Sequence, residues 1–276
     1  MVRLRWAVVA IMITACGGAG GGGAADAAPP DGADAPDDPC VGRPLCERFD
    51  GLPPGPVADG ATVGPYRAQV VPGGTLAIDG THAFSGSQAL HAHIDGGSAG
   101  GGRLFATGGA LFAPTQRHLY GRFMMWNATD ASSVHWTLTG ASGVIPDGPS
   151  AGHTATYLWS AAEDKRWMAV FYDDQTAQDC WHHAAEPIPV GTWTCVAFEA
   201  DAEQLRYRLS LDGRAITSFD VDTTGQGCLN APGDTPWYGP SFERLYLGAV
   251  SFHPMSGPLD VWYDDLIVDT VPVACP

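Results

Sequence analysis

Two side chains in the stretch Leu119–Thr139 offer chemistry: Arg122, a permanent cation, and His135, an imidazole that titrates near neutral pH. A cation beside a proton acceptor is what a carbohydrate-handling groove needs, although a purely structural sheet tolerates both. Their placement follows from alternation. Tyr120, Arg122, Met124 and Trp126 fall on one face of the first run, and Leu119, Phe123 and Met125 on the other. In the second run Val134, Trp136 and Leu138 share one face, and Ser133, His135, Thr137 and Thr139 the opposite one. This period of two predicts two half-buried strands joined by the polar turn Asn127–Ser132. If the strands pair, Arg122 and His135 lie side by side on the polar face.

Other candidates are weaker. His91 and His93 share a face at i and i+2, but no third metal ligand is visible nearby, so a solvated row is the expectation. His182 and His183 are adjacent and face apart, which argues against a shared metal. Trp136, Trp193 and Trp262 occupy alternating strand positions and are expected in the core. Trp181, Trp237 and Tyr238 fall in predicted loops, where their rings could stack on sugars. A retaining jelly-roll hydrolase needs Glu-x-Asp-x-x-Glu on one strand; that motif is absent, and the chain has only six Glu.

The chain begins with Arg3 and Arg5 and a short apolar run, Trp6–Thr14, too short for a spanning helix. Ile13-Thr14-Ala15-Cys16 looks like a bacterial lipobox, which implies a signal peptide over 1–15, lipid on Cys16 and a membrane, the outer membrane in a Gram-negative cell, as one partner. Residues 16–39 are Gly, Ala, Pro and Asp without large apolar side chains, a flexible tether spanning about 25 Å. Residues 40–276 are long enough for one large domain.

Net charge is −16, and −13 once Arg3, Arg5 and the five tether Asp are set aside. With Lys165 the single lysine, nucleic acid is excluded as a partner. The expected state is a monomer. Six of the seven Cys remain beyond Cys16, an even number that suggests disulfides in an exported protein. Fifteen pairings are open; Cys180 with Cys195, near facing ends of adjacent strands, is the leading expectation, with Cys275 pinned to Cys40 or Cys46 and Cys228 taking what is left.

Strands are predicted at 45–51, 75–78, 88–94, 103–112, 153–160, 166–172, 191–200, 205–211, 214–221, 242–250 and 259–269, with Asp212-Gly213 as a hairpin turn. Gly and Pro punctuate them and helical periodicity is scarce, so the fold class is all-β, a two-sheet antiparallel jelly-roll sandwich.

Gly191, Trp193 and Cys195 followed by Leu209, Leu211, Asp212 and Gly213 resemble the central hairpin of concanavalin A-like and laminin G-like jelly rolls. Cys46-Glu47-Arg48-Phe49-Asp50-Gly51 and Val261-Trp262-Tyr263-Asp264-Asp265-Leu266-Ile267-Val268 resemble the opening and closing strands of exported bacterial members, and the whole is similar to jelly rolls related to polysaccharide lyases and to cellulose-induced fungal secreted proteins. The resemblance implies a structural calcium where first and last strands meet, with Glu47, Asp50 and one of Asp264 and Asp265 as ligands and Ser85 or Ser87 nearby. It implies a polysaccharide as partner, bound at the cell surface through Arg122, His135, Trp181, Trp237 and Tyr238. The alternatives are a lyase acting by β-elimination on a uronate polymer, with Arg122, His135 and Tyr172 as its catalytic residues, and a structural or adhesive surface protein. Ser133 stands where the lyase motif has Gln, and Asp173-Asp174 after Tyr172 departs from it as well.

Overall fold

The computed structural model describes residues 38–113, 115–129, 134–231 and 235–276. The expected signal peptide, Cys16, nearly all of the tether, and Ser133 lie outside the described residues. The strands are β1 (Leu45–Glu47), β2 (Gly55–Val57), β3 (Thr62–Val63), β4 (Tyr66–Val71), β5 (Gly74–Asp79), β6 (Ala89–Ile94), β7 (Gly100–Thr107), β8 (His118–Asn127), β9 (Trp136–Val144), β10 (Thr154–Ala161), β11 (Arg166–Asp173), β12 (Gln178–Pro187), β13 (Trp193–Asp201), β14 (Arg206–Leu211), β15 (Arg214–Ala215), β16 (Val221–Asp222), β17 (Gly227–Leu229), β18 (Ser241–Ser251) and β19 (Leu259–Asp269). They form two antiparallel sheets, a jelly-roll sandwich. A ten-stranded sheet has the path β15-β14-β13-β8-β19-β6-β5-β2, with β1 on β19 and β16 on β14; a nine-stranded sheet runs β17-β12-β11-β10-β9-β18-β7-β4-β3.

Alternation explains the core. Leu119, Phe123 and Met125 of β8 and Trp136 and Leu138 of β9 all point between the sheets. Aromatic rings fill much of that space: Trp159 stacks on Tyr207 at 4.4 Å and meets Phe198 at 4.5 Å. Some buried hydroxyls find carbonyls, as Tyr157 Oη does on Trp237 at 2.7 Å.

Three expectations are corrected. β8 and β9 are not a hairpin: β8 lies between β13 and β19, β9 between β10 and β18, so the chain changes sheet after Asn127. Cys180 and Cys195 belong to different sheets. Cys180 bonds Cys228, directly opposite it on β17; Cys195 bonds Cys275; and Cys40 bonds Cys46. Trp193 and Trp262 are not in the inter-sheet core. Pairing in register, Trp193, Trp126, Trp262 and His91 form a row across β13, β8, β19 and β6 on the outer face of the ten-stranded sheet. His91 stacks on Trp262 at 4.0 Å, and His82 covers Trp126 at 4.8 Å.

Beside that row runs a chain of alternating carboxylates and imidazoles. Asp79 meets His91 Nδ1 at 2.9 Å, and His91 Nε2 meets Asp260 Oδ1 at 2.9 Å. The same Asp260 oxygen is 2.8 Å from His93 Nδ1, and His93 Nε2 is 3.2 Å from Asp95. Both His93 nitrogens face acceptors, so only the imidazolium satisfies them. Burial opposes that charge, but Asp260 and Asp95 outweigh it and raise the His93 pKa above its ordinary value. A raised folded-state pKa stabilises the fold below the unfolded value and is lost as pH rises through the folded one. Thermal unfolding from pH 5 to 9 is therefore expected to show a fall in Tm above about pH 6.5, and the fall should be smaller in His93→Gln.

Candidate functional site

The outer face of the nine-stranded sheet holds a groove of about 530 Å³. Two parallel rows of side chains cross the strands there. Register places Arg244, Ser142, Thr156, Tyr172 and Asp179 in one row, over β18, β9, β10, β11 and β12. The neighbouring row is Phe105, Tyr246, Gly140, Leu158, Val170 and Trp181. A polar track beside an apolar one suits sugar rings, which have apolar faces and polar edges. Gly140 is bare because a Cβ there would lie 2.7 Å from the Tyr246 ring and 2.8 Å from Leu158. Register shifts in β9 against β10 and β18 re-aim the side chains of this face.

The cations of the groove are Arg103 and Arg244. Arg103 lies over Tyr246 at 4.6 Å and Phe105 at 5.0 Å, and its Nε donates to Gln69 Oε1 at 2.8 Å. Arg244 sits 5.5 Å from the Phe105 ring centre and donates from Nε to Ser142 Oγ at 2.6 Å. Arg67 lines a hollow of about 370 Å³ that Phe105 and Arg244 also border, extending the cationic end. Tyr246 is only 3 % exposed, and burial raises its pKa, keeping the phenol protonated at neutral pH.

His135 also lines the groove, next to His253. Burial, then the nearby His253, push its pKa down to about 4, so the ring is neutral at physiological pH. Its Nε2 is buried and has no hydrogen-bond partner among the described residues. A neutral, unpartnered imidazole nitrogen can accept a hydrogen bond or a proton, although a pKa of about 4 makes it a weak base at neutral pH. Tyr172, Asp174 and Asp179 line the groove at the end away from the arginines, and Phe252, 63 % exposed, is an aromatic ring at its rim.

The expected site is thus partly assembled and partly dispersed. His135 and Tyr172 meet in one groove. Arg122 does not join them, because β8 belongs to the other sheet; it is 3 % exposed, and burial lowers its pKa against the pull of Asp265. Trp181 is not in a loop but in β12, packed beside Leu158, Val170 and Tyr246. Trp237 is 1 % exposed between the sheets and stacks on Phe171, beyond the reach of a sugar, and Tyr238 packs against the core. Sequence reasoning missed Arg103, Arg244, Phe105 and Tyr246. Their signal is Arg-x-aromatic in two strands, Arg103-Leu104-Phe105 and Arg244-Leu245-Tyr246, which puts cations and rings on one face of the sheet.

Three of the four acidic residues proposed for calcium, Asp50, Asp264 and Asp265, bind the segment Phe84–Gln88. Asp264 Oδ2 accepts from the amides of Phe84 and Ser85, while Asp265 Oδ1 accepts from Ser85 Oγ. The two Asp therefore reach one residue rather than facing apart, because Asp265 takes a positive φ of 46° within a register shift of β19 against β8. Asp50 Oδ1 accepts from the amides of Ser87 and Gln88, and Glu47 from that of Phe49. Burial pushes the Asp264 carboxyl up to about 6, offset in part by its amide donors. Amides already satisfy part of this carboxylate set, and its oxygens do not converge on one point as a metal's ligands do. A second acidic group, His118, Glu199 and Asp201, has the convergence a metal needs, but Arg206 already bridges Glu199 at 2.7 Å and Asp201 at 3.3 Å.

The two antiparallel sheets define a jelly roll, grooved on one outer face. Residues 58–271 match the polysaccharide-lyase-like family described as the Cip1-like core domain, and the chain belongs to that family. The solved structure of cellulose-induced protein Cip1 is 16% identical, with TM-score 0.55, covering 84% of this chain and 100% of Cip1. The PL-14 alginate lyase from Aplysia kurodai is 8% identical, with TM-score 0.50, covering 71% of this chain and 87% of the lyase. At these identities the likeness is one of fold. No curated protein matches the chain.

The depressed His135 pKa has a direct readout. In a 2D NMR titration its imidazole signals are expected to stay those of the neutral ring from pH 8 down to about pH 5. A midpoint near the ordinary value of about 6.5 would remove His135 as a buried base.

Proposed function

We propose that the groove of the nine-stranded sheet binds an acidic polysaccharide, with the uronate carboxylate at Arg103 and Arg244. What carries this reading is the pairing of those two cations with the Phe105–Tyr246 ring floor, on a protein whose net charge is −16. Guanidinium groups match carboxylates in geometry, and a groove focuses their field against the acidic background. In this reading Cys16 carries the lipid, and the tether presents the groove outside the membrane.

A second reading, lyase action in the same groove, is favoured by neutral His135. The arginines neutralise the uronate carboxylate and so acidify the C5 proton; His135 Nε2 takes that proton. The C5 electrons form the C4–C5 double bond as the C4–O4 bond breaks, and Tyr246 or Tyr172 protonates the departing oxygen. Arg103→Ala and Arg244→Ala are each expected to weaken binding to a uronate polysaccharide by about tenfold or more, measured by calorimetry. Arg122→Met should leave it unchanged. If elimination occurs, ultraviolet absorbance of the unsaturated product rises with the wild type and not with His135→Ala, while His135→Ala still binds. Arginine variants with wild-type affinity would overturn the reading.

For calcium we propose Glu47, Asp50 and Asp265, whose carboxylates would close in on the ion as it binds, with Asp264 holding the loop beside them. Millimolar calcium is then expected to raise Tm by several degrees and chelation to reverse it; an Asp50→Asn/Asp265→Asn variant should show no calcium shift.

A further inference from the structure

The groove is electrically lopsided. Arg244 and Asp179 stand at opposite ends of one cross-strand row, four strand spacings or about 19 Å apart. Arg103 reinforces the first end, with Arg67 beyond it in a hollow that Asp59 also lines, and Asp174 reinforces the second. Burial pushes the Asp179 carboxyl up, with His253 opposing. A hydroxyl or amine donor on a sugar would relieve that cost, and a second carboxylate would increase it. A glycan lying along the row meets both ends at once.

We propose that the glycan is not a uniform polyuronate: an acidic sugar sits at Arg103 and Arg244, and the sugars at Asp174 and Asp179 are neutral or carry an amine. The inference rests on the groove being the glycan site proposed above. A homopolymer of uronic acid repeats its carboxylate along the whole row and sets one against the aspartates, whereas a polymer that intersperses its uronates matches both ends. One close like-charge contact weakens binding on the order of tenfold.

The test is calorimetry of the full chain, at low and at physiological salt, with equal-length oligosaccharides of polygalacturonate, of hyaluronan, which alternates a uronate with an uncharged amino-sugar derivative, and of a neutral glucan. The wild type is expected to prefer the alternating polymer over the homopolymer by about tenfold. Asp174→Asn/Asp179→Asn is expected to raise homopolymer affinity and shrink that ratio towards one. If the double variant fails to fold, the wild-type ratio alone decides. Equal or tighter wild-type binding of the homopolymer, unmoved by the double variant, would overturn this inference and leave the acidic-glycan reading standing. Binding of neither acidic polymer, or of the neutral glucan alone, would overturn both.

Discussion

Where β18 leaves register with β9 between Leu247 and Val250, the ladder loses bonds beneath the groove. Side chains replace them. Thr139 Oγ1 donates to the Tyr246 carbonyl at 2.6 Å, and Thr137 Oγ1 to that of Val250 at 3.3 Å. From the opposite sheet, Tyr263 Oη donates to the Gly248 carbonyl at 3.0 Å. Each buried carbonyl left unpaired costs about 1–3 kcal/mol, so the bulge is held in one form. Gly248 allows it, with φ +148° and no space for a Cβ beside the Gly102 carbonyl 2.2 Å away. Because Tyr246 and, through it, Arg103 take their directions from this segment, the floor and the cations of the groove depend on these three hydroxyls.

Alternation made much of the fold legible. Phe123 and Leu119 inward and Tyr120 and Trp126 outward are read from period two alone, and β19 was bounded as Leu259–Asp269. Alternation says that a side chain leaves the core, but not through which sheet. Arg122 and His135 both leave it, one on each side of the sandwich, and only the path of the chain after Asn127 decides that. The Cys pairs were hidden for the same reason, since partners 48 and 80 residues apart are set by topology. β12 and β17 were missed because their apolar residues are few and their length is set by pairing with β11. Trp237 reads as a loop residue and is one, yet it fills the core between Phe171 and Tyr207.

The two outer faces use similar residues for different ends. On the ten-stranded sheet, Trp262 and His91 are stacked and the imidazoles are enclosed by Asp79, Asp260 and Asp95, so rings and charges satisfy one another. On the nine-stranded sheet the aromatic floor faces a hollow, and His135 Nε2 lacks a partner. The Trp262–His91 row is thus self-satisfied, although Arg122 Nε and Nη1 on the same face have no partner among the described residues, whereas on the second face the unpartnered imidazole borders a groove with an aromatic floor.

The place of β19 has a consequence for how the molecule comes to exist. It lies between β8 and β6 in the middle of its sheet and also carries β1, so three strands from the first half of the sequence close upon one made far later. A nascent chain that stops before residue 259 has every strand of the nine-stranded sheet but the ten-stranded one split into pieces with bare edges. Until β19 is made the ten-stranded sheet cannot close, and its bare strand edges are open to chaperones and proteases.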